Sequence, residues 1–403
     1  MKPEVIILGG GMAGCAAAYY LARQGVRAAV IEKGRIADPS GSSVGASRMY
    51  RQMYSNPYFC ARSTEAIGLW RELEARHGAT LLRDNGLLFY GESWEEETIE
   101  GSIPGAKRVM DERHIPYEHL TAQAIQARWP ALPRPDFEGL FEPAAGMIWS
   151  ERALSLFRSE AERAGASFFE GEGSARLEAL PGGGARVQTG TGRTLVAERV
   201  VLACGAWTNE RLAELGLQLD LELWPMLWAH YLVDPSLAAA YPQWFCFQRA
   251  DAERGDGGLY YGFAAHEGAP RIKVGIDWCP EHLRTRDVAS FRRDPDPKLV
   301  ALLDRFLRSH WRGIGECLDL HVSPYTMTRD QYFILDRLPS HPGVTVFTGG
   351  SGHAFKFAPL IGMALAELAL GKTPSFDLAP LSVTRPAAGL QRLSRGALET
   401  AVG

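Results

Sequence analysis

Val5-Ile6-Ile7-Leu8-Gly9-Gly10-Gly11-Met12-Ala13-Gly14, with Glu32 a short way downstream, is the stretch that decides the fold. Four apolar residues in a row read as a strand buried on both faces of a parallel sheet. Gly9, Gly11 and Gly14 fit G-x-G-x-x-G. The first allows a tight turn, the second lets backbone approach a pyrophosphate, and the third lets a helix pack on the strand. The helix expected over Cys15 to Gln24 would aim its N-terminus, with Met12 and Ala13, at phosphates. Ala28-Ala29-Val30-Ile31 reads as a second strand that delivers Glu32, with Lys33 after it. A carboxylate there accepts from ribose hydroxyls and disfavours a 2′-phosphate. Strand, turn, helix, strand and acid fall in register, which predicts a dinucleotide site and leaves NAD and FAD both open.

The bulk properties set the frame around that site. The chain has 403 residues, enough for two or three domains' worth of core. It is 46% hydrophobic and 22% charged, the composition of an ordinary globular protein. A net charge of −4 gives no general basic field for nucleic acid. Six cysteines (Cys15, Cys60, Cys204, Cys246, Cys279 and Cys317) form no C-x-x-C pair, so a zinc site is not expected. The longest apolar run, Leu360 to Leu370, contains Glu367 and is too short to span a bilayer. A strand beginning near residue 5 leaves no room for a signal peptide. The expectation is a cytoplasmic protein, monomeric or a small homo-oligomer, with no membrane or nucleic-acid partner.

Further along, Ser63 to His77 reads as an amphipathic helix, and Leu81-Leu82 and Leu87 to Tyr90 as strands joined by a turn at Asp84-Asn85-Gly86. Residues 92–135 look like an insertion of helices and loops. Arg152 to Ala164 reads as helix, and Arg186-Val187 and Thr194 to Val196 as a small antiparallel meander. Arg199 to Ala203 is a buried strand ending in Cys204-Gly205-Ala206-Trp207, a second place where backbone at Ala203, Gly205 and Trp207 can meet a nucleotide. Residues 217–273 alternate like antiparallel sheet and are rich in aromatics, most of them expected in a core and a few in a pocket. Pro297 to Trp311 is expected to be helical. Val344 to Phe347 reads as a strand closing on Gly349-Gly350-Ser351-Gly352, and a helix is expected from about Ala358 to Leu370. After Asp377 the composition predicts a loose tail. Nucleotide-binding elements thus run from the first residues to about 375, which predicts a discontinuous nucleotide domain (1–85, 150–215 and 322–378), a second domain inserted in pieces (86–149 and 216–321), and a tail over 379–403.

Two further loops carry chemistry. Gly350, Gly352, His353, Phe355 and Lys356 belong to a Gly-rich turn at a helix N-terminus, where free N–H groups and a positive dipole end suit the negative edge of a reduced flavin. Gly41-Ser42-Ser43-Val44-Gly45-Ala46-Ser47-Arg48, then Arg51, combines small residues for close approach to a ring with arginines whose forks suit a carboxylate. Either could instead be a solvated turn.

The order of these motifs, with Tyr325-Thr326-Met327-Thr328 and Phe333-Ile334-Leu335-Asp336 between them, resembles the monomeric sarcosine oxidase family, which includes N-methyltryptophan oxidase, over about 375 residues. The resemblance implies an α/β (α+β overall) fold: a Rossmann-like FAD domain of the p-hydroxybenzoate-hydroxylase type and a substrate domain with a mainly antiparallel sheet. It implies oxidation of a secondary or primary amine next to a carboxylate in an amino or imino acid, with hydride passing to flavin N5 and O2 reduced to H2O2.

Matched position by position, the resemblance makes Arg51 and Lys356 the clamp on the substrate carboxylate, places Arg48 beside the flavin, and makes Lys273 the lysine that activates oxygen. A fixed cation lowers the cost of placing an electron on oxygen. Tyr261 and Tyr325 match pocket tyrosines. Three departures stand out. Ser323 occupies the position of the cysteine that attaches flavin in some members, so non-covalent FAD is expected. Ser43-Val44 replaces a histidine pair. Asp277 replaces a pocket histidine, and an acid there could repel a carboxylate or pair with a basic group. A same-fold dehydrogenase using another acceptor, and a non-catalytic flavin protein, are the alternatives; retention of Arg51, Lys273 and Lys356 together favours an oxidase.

Overall fold

The computed structural model describes residues 2–95, 98, 100–133, 136–181, 183–265 and 269–393. The opening strand, Val5–Leu8, lies inside a six-stranded sheet of order Ile334–Leu338, His341–Thr348, Arg199–Leu202, Val5–Leu8, Ala28–Ile31, Ser167–Phe169. Val5 pairs with Arg199 on one side and Ala28 on the other, both in parallel, while the outer strand Ile334–Leu338 runs antiparallel. Alternation assigns the faces. Val5 and Ile7 pack with helices Met12–Ala22, Ser150–Arg163 and Ala358–Ala369, whereas Ile6 and Leu8 pack with Leu177 and Val187 of an antiparallel meander.

Small residues make the helical layer possible. Met12–Ala22 reads MAGCAAAYYLA, and Gly362 of helix Ala358–Ala369 crosses it so closely that a Cβ there would meet the Ala16 Cβ at 2.5 Å. The helix begins at Met12 rather than Cys15 and closes at Ala22, so Met12 and Ala13 form its first turn.

The second layer is an eight-stranded, mainly antiparallel sheet built from Leu87–Gly91, Glu118–Leu120, Glu138–Glu142, Glu222–Val233, Trp244–Phe247, Leu259–Phe263, Arg271–Ile276 and Ile314–Met327. One neighbouring pair, Trp244–Phe247 with Leu87–Gly91, is parallel. Strand alternation splits the aromatics. Trp244, Tyr231 and Tyr260 pack with helix Pro297–His310 on one face, while Phe245, Tyr261, Phe263 and Trp228 line the other. The sequence expectation of a mostly core role with a few pocket aromatics matches this division.

Three local readings change. The strands Leu82–Arg83 and Leu87–Gly91 are not a hairpin. The first joins a small sheet with Ser47–Tyr50 and Gly146–Trp149, and the second enters the large sheet, so the Asp84-Asn85-Gly86 turn passes the chain between layers. A Cβ at Gly86 would lie 2.1 Å from the Phe141 ring, which explains glycine at that crossing. The 92–135 insertion contains the strand Glu118–Leu120 as well as helices; positions 96, 97, 99, 134 and 135 lie outside the described residues. The described part of the expected tail is not loose. Val383 is fully buried and its N–H donates to Asp336, Arg385 pairs with Asp330, and Gln391–Arg392 pairs with Leu217–Gln218. Composition misled there because two aspartates on the sheet side supply the partners. Residues 394–403 lie outside the described residues.

Candidate active site

One cleft runs between the two layers, and its wall contains Gly9, Gly11, Met12, Ala13, Glu32, Ser42, Ser43, Arg48 and Arg51 from the N-terminal part. Ala203, Gly205 and Trp207 join from the middle, then Tyr261, Lys273, Asp277 and Tyr325, and finally Gly350, Gly352, His353, Phe355 and Lys356. Two predicted residues lie off the wall. Gly14 sits beneath the turn, where a Cβ would meet the Gly9 carbonyl oxygen at 1.8 Å, so its role is packing. Lys33 holds its ammonium 4.9 Å from the Trp207 ring centre.

At one end the cleft is made of backbone. Gly9 has φ +102°, and a Cβ on it would lie 2.3 Å from the Ala203 carbonyl oxygen. The Glu32 carboxylate accepts from Gly10 N–H at 2.6 Å and Gly34 N–H at 2.9 Å, so it is held at the turn. Ser43 Oγ accepts from Met12 N–H at 3.0 Å, which sets the 41–48 loop on the helix N-terminus. Arg48 ties that loop together by donating to the Ser42, Val44 and Ser47 carbonyls, and its guanidinium lies 5.4 Å from the Phe355 ring centre. The fingerprint turn has no room for side chains and presents a helix N-terminus and a fixed carboxylate, so it fits an adenine dinucleotide.

The other end is made of buried charge. Arg51 is 1% exposed, donates to the Met53 carbonyl at 2.8 Å, and lies 4.4 Å over the Tyr54 ring. Its Nη2 bonds the carboxylate of Glu100, itself buried. The Lys356 ammonium donates to the His353 carbonyl at 3.0 Å, and burial and Arg51 push its pKa well down while Asp277 opposes the shift. Asp277 is 2% exposed, and its Oδ2 has no hydrogen-bond partner among the described residues. Burial pushes its carboxyl up to about 7, against the pull of Arg51 and Lys356. Lys273 lies 4.4 Å from the Trp228 ring centre and donates to the Ser47 carbonyl at 3.4 Å. Burial and the Arg48 guanidinium lower its pKa well below the usual lysine range. Burial and the Asp277 carboxylate raise Tyr261 and Tyr325, which therefore stay protonated.

Sequence reasoning missed the groups that support these charges. Glu100 reaches Arg51 from a loop with no motif. Glu142, fully buried, accepts from the Gln52 and Met53 N–H groups and holds the backbone after Arg51; burial pushes its carboxyl up to about 7. Tyr54 OH meets His353 Nδ1 at 3.3 Å, and Trp70 Nε1 donates to the Lys356 carbonyl at 2.8 Å. No local spacing announces such contacts, which span up to 299 positions. Ser323, on the cleft wall, accepts from Trp228 Nε1 at 3.0 Å; Cys317 on the same strand is exposed and off the wall. Off the cleft wall too, His230 and His321 share the Asp319 carboxylate at 2.8 and 3.2 Å, and His321 stacks on Trp228. Among the described residues, no helix is long and apolar enough to cross a membrane.

Known proteins resemble this chain over nearly its whole length. The model of the FAD-dependent oxidoreductase family matches residues 4–368. The peroxisomal sarcosine oxidase of Homo sapiens is 30% identical over 402 residues, covering 95% of this chain and 96% of that protein. The N-methyl-L-tryptophan oxidase of Salmonella arizonae is 30% identical over 396 residues, covering 96% and 99%. Among solved structures, NikD, an unusual amino acid oxidase essential for nikkomycin biosynthesis, superposes with a TM-score of 0.85 at 29% identity, covering 94% of this chain and 97% of that one.

Proposed function

Because the chain belongs to the FAD-dependent oxidoreductase family, alongside sarcosine oxidase and N-methyltryptophan oxidase, we propose that it is an oxidase of an amino or imino acid that uses non-covalent FAD and O2. The observation that carries this reading is the sharing of one cleft by the dinucleotide turn and a buried set of Arg51, Lys356, Lys273 and Asp277.

In this reading the side-chain-free turn at Gly9 and Gly11 lets the pyrophosphate approach the helix N-terminus at Met12 and Ala13, and Glu32 takes ribose hydroxyls. Arg48 and the 349–356 turn flank the ring system. FAD, when bound, supplies a two-electron acceptor that turns an amine into an imine and is restored by O2, which leaves as H2O2. Arg51 and Lys356 bind the carboxylate and fix the amine-bearing carbon. Asp277 faces the substrate as a carboxyl poised to exchange a proton near neutral pH. Burial and Arg48 loosen the hold of Lys273 on its proton, and negative charge on oxygen beside it would strengthen that hold and be stabilised in return. Apolar walls at Phe245, Phe263 and Trp228 exclude water.

Tyr261 and Tyr325, kept protonated, donate toward the same space. Ser323 supports non-covalent attachment, since a hydroxyl occupies the linking position. A monomeric or small homo-oligomeric, cytoplasmic enzyme with an FAD domain in three segments and an inserted substrate domain is the matching organisation.

The experiment is a peroxide-coupled screen of amino, N-methylamino and cyclic imino acids on the FAD-loaded protein. Turnover with peroxide supports an oxidase. Turnover with an artificial dye but no peroxide identifies a dehydrogenase, and no flavin reduction by any member identifies a non-catalytic flavoprotein. Acid precipitation should release the flavin into the supernatant; flavin left on the pellet overturns the non-covalent assignment.

A further inference from the structure

The guanidinium that the proposed reading assigns to a substrate carboxylate already holds a carboxylate of the protein. Arg51 and Glu100 are 1% and 6% exposed, and they face each other inside the cleft. Glu100 is fixed there. Its N–H donates to Thr98 Oγ1 at 3.2 Å, Thr98 Oγ1 donates to the Gly101 carbonyl at 2.7 Å, and the Ser102 N–H donates to Ser55 Oγ at 2.8 Å. Arg51 is fixed as well, by the Met53 carbonyl and the Tyr54 face. Asp277 lines the same space with an oxygen that has no partner among the described residues.

A carboxylate that enters to take Arg51 must therefore share or part a buried ion pair. Removing one partner of such a pair leaves an uncompensated buried charge, which is strongly unfavourable. A simple monoanion offers nothing in return and adds a further negative group beside Glu100 and Asp277. A zwitterion carries a cationic nitrogen next to its carboxylate, within reach of the acid that Arg51 gives up. We propose that Glu100 is a specificity-determining residue: it holds Arg51 in place of a ligand's carboxylate and yields it to zwitterionic amino acids, whose nitrogen takes Arg51's place, in preference to simple carboxylates. The inference rests on the proposed reading of Arg51 as the carboxylate clamp.

The test titrates FAD-loaded protein with acetate and with glycine betaine, a zwitterion without an oxidisable N–H, and follows the flavin absorption. Glu100→Gln keeps the shape and removes the charge. It is expected to bind acetate about ten-fold or more tighter than the parent, with betaine unchanged or weaker. Glu100→Asp is expected to keep the parent's preference. Acetate affinity in Glu100→Gln within about two-fold of the parent overturns the proposal. If Glu100→Gln fails to fold, Glu100→Ala carries the same expectation and the same failing result. Arg51→Ala separates the two claims. If it leaves acetate binding intact, the clamp reading fails; if it abolishes binding while the Glu100 variants change nothing, the clamp stands and the role of Glu100 fails.

Discussion

The two ends of the cleft rest on different physics. The turn at Gly9 to Gly14 works by what is absent: side chains are excluded by contacts as short as 1.8 Å from an ideal Cβ, and one fixed carboxylate, Glu32, does the polar work. The far end works by what is crowded in: Arg51, Lys356, Glu100, Asp277 and Lys273 are all nearly inaccessible to solvent. The first end is a matter of shape and tolerates no volume. The second is a matter of charge and depends on which partners hold which protons.

The sharpest way to break the contrast is Gly14→Val. Overpacking against the Gly9 carbonyl should cost about 1–3 kcal/mol and displace the turn, so the purified protein should emerge nearly free of flavin. Flavin retained in stoichiometric amount would show that the turn has slack. Next in size is Lys273→Met, expected to slow reoxidation by O2 about 100-fold in stopped flow while anaerobic reduction stays close to normal. Equal slowing of both steps removes Lys273 from oxygen chemistry.

Arg51→Ala should weaken carboxylate ligands by about 10–100-fold, the value of a charge-assisted bond, and should lower the melting temperature because Glu100 is left buried alone. Unchanged affinity would mean that Lys356 alone binds the carboxylate. The smallest effect is a pH profile. Asp277 is neutral below about 7 and anionic above it, so a simple carboxylate should bind less well as pH rises through that value. Lys356, also facing the site with a lowered pKa, loses charge with rising pH and acts in the same direction. Glu142 rises to about 7 as well, but it bonds backbone outside the cleft wall. Asp277→Asn should therefore remove the step near 7 and leave the Lys356 decline. A profile unaltered by Asp277→Asn assigns the step to another group.

The contrast also explains what could be read from the chain. The parallel strand, the glycine turn and Glu32 were legible because their pattern lies within about thirty residues of sequence, although the Ala203 carbonyl that crowds Gly9 does not. Four of the eight strands of the large sheet were legible from alternation at residues 217–273, whereas Glu118–Leu120, Glu138–Glu142 and Ile314–Met327 were not read as strands. The false hairpin at 82–91 looked correct because a turn sequence does not say whether its two strands share a sheet. Individual charges such as Arg51, Lys273 and Lys356 were reached through motif order, whereas Glu100, Glu142 and Tyr54 were not, since their partners come from unrelated positions and burial alone gives them meaning. The packed segment 379–393 was missed for the same reason, because Asp330 and Asp336 define it from outside.

The strand order has a consequence for synthesis. Val5–Leu8 gains Ala28–Ile31 early, but its other neighbour begins at Arg199, and that strand waits in turn for His341–Thr348. At ribosomal rates of about 5–20 residues per second, Lys356 emerges tens of seconds after the turn that shares its cleft. Through that interval the nascent chain carries an apolar strand with one edge open, the kind of template that invites pairing with other chains. The nucleotide-binding turn is thus translated long before the residues that complete its cleft.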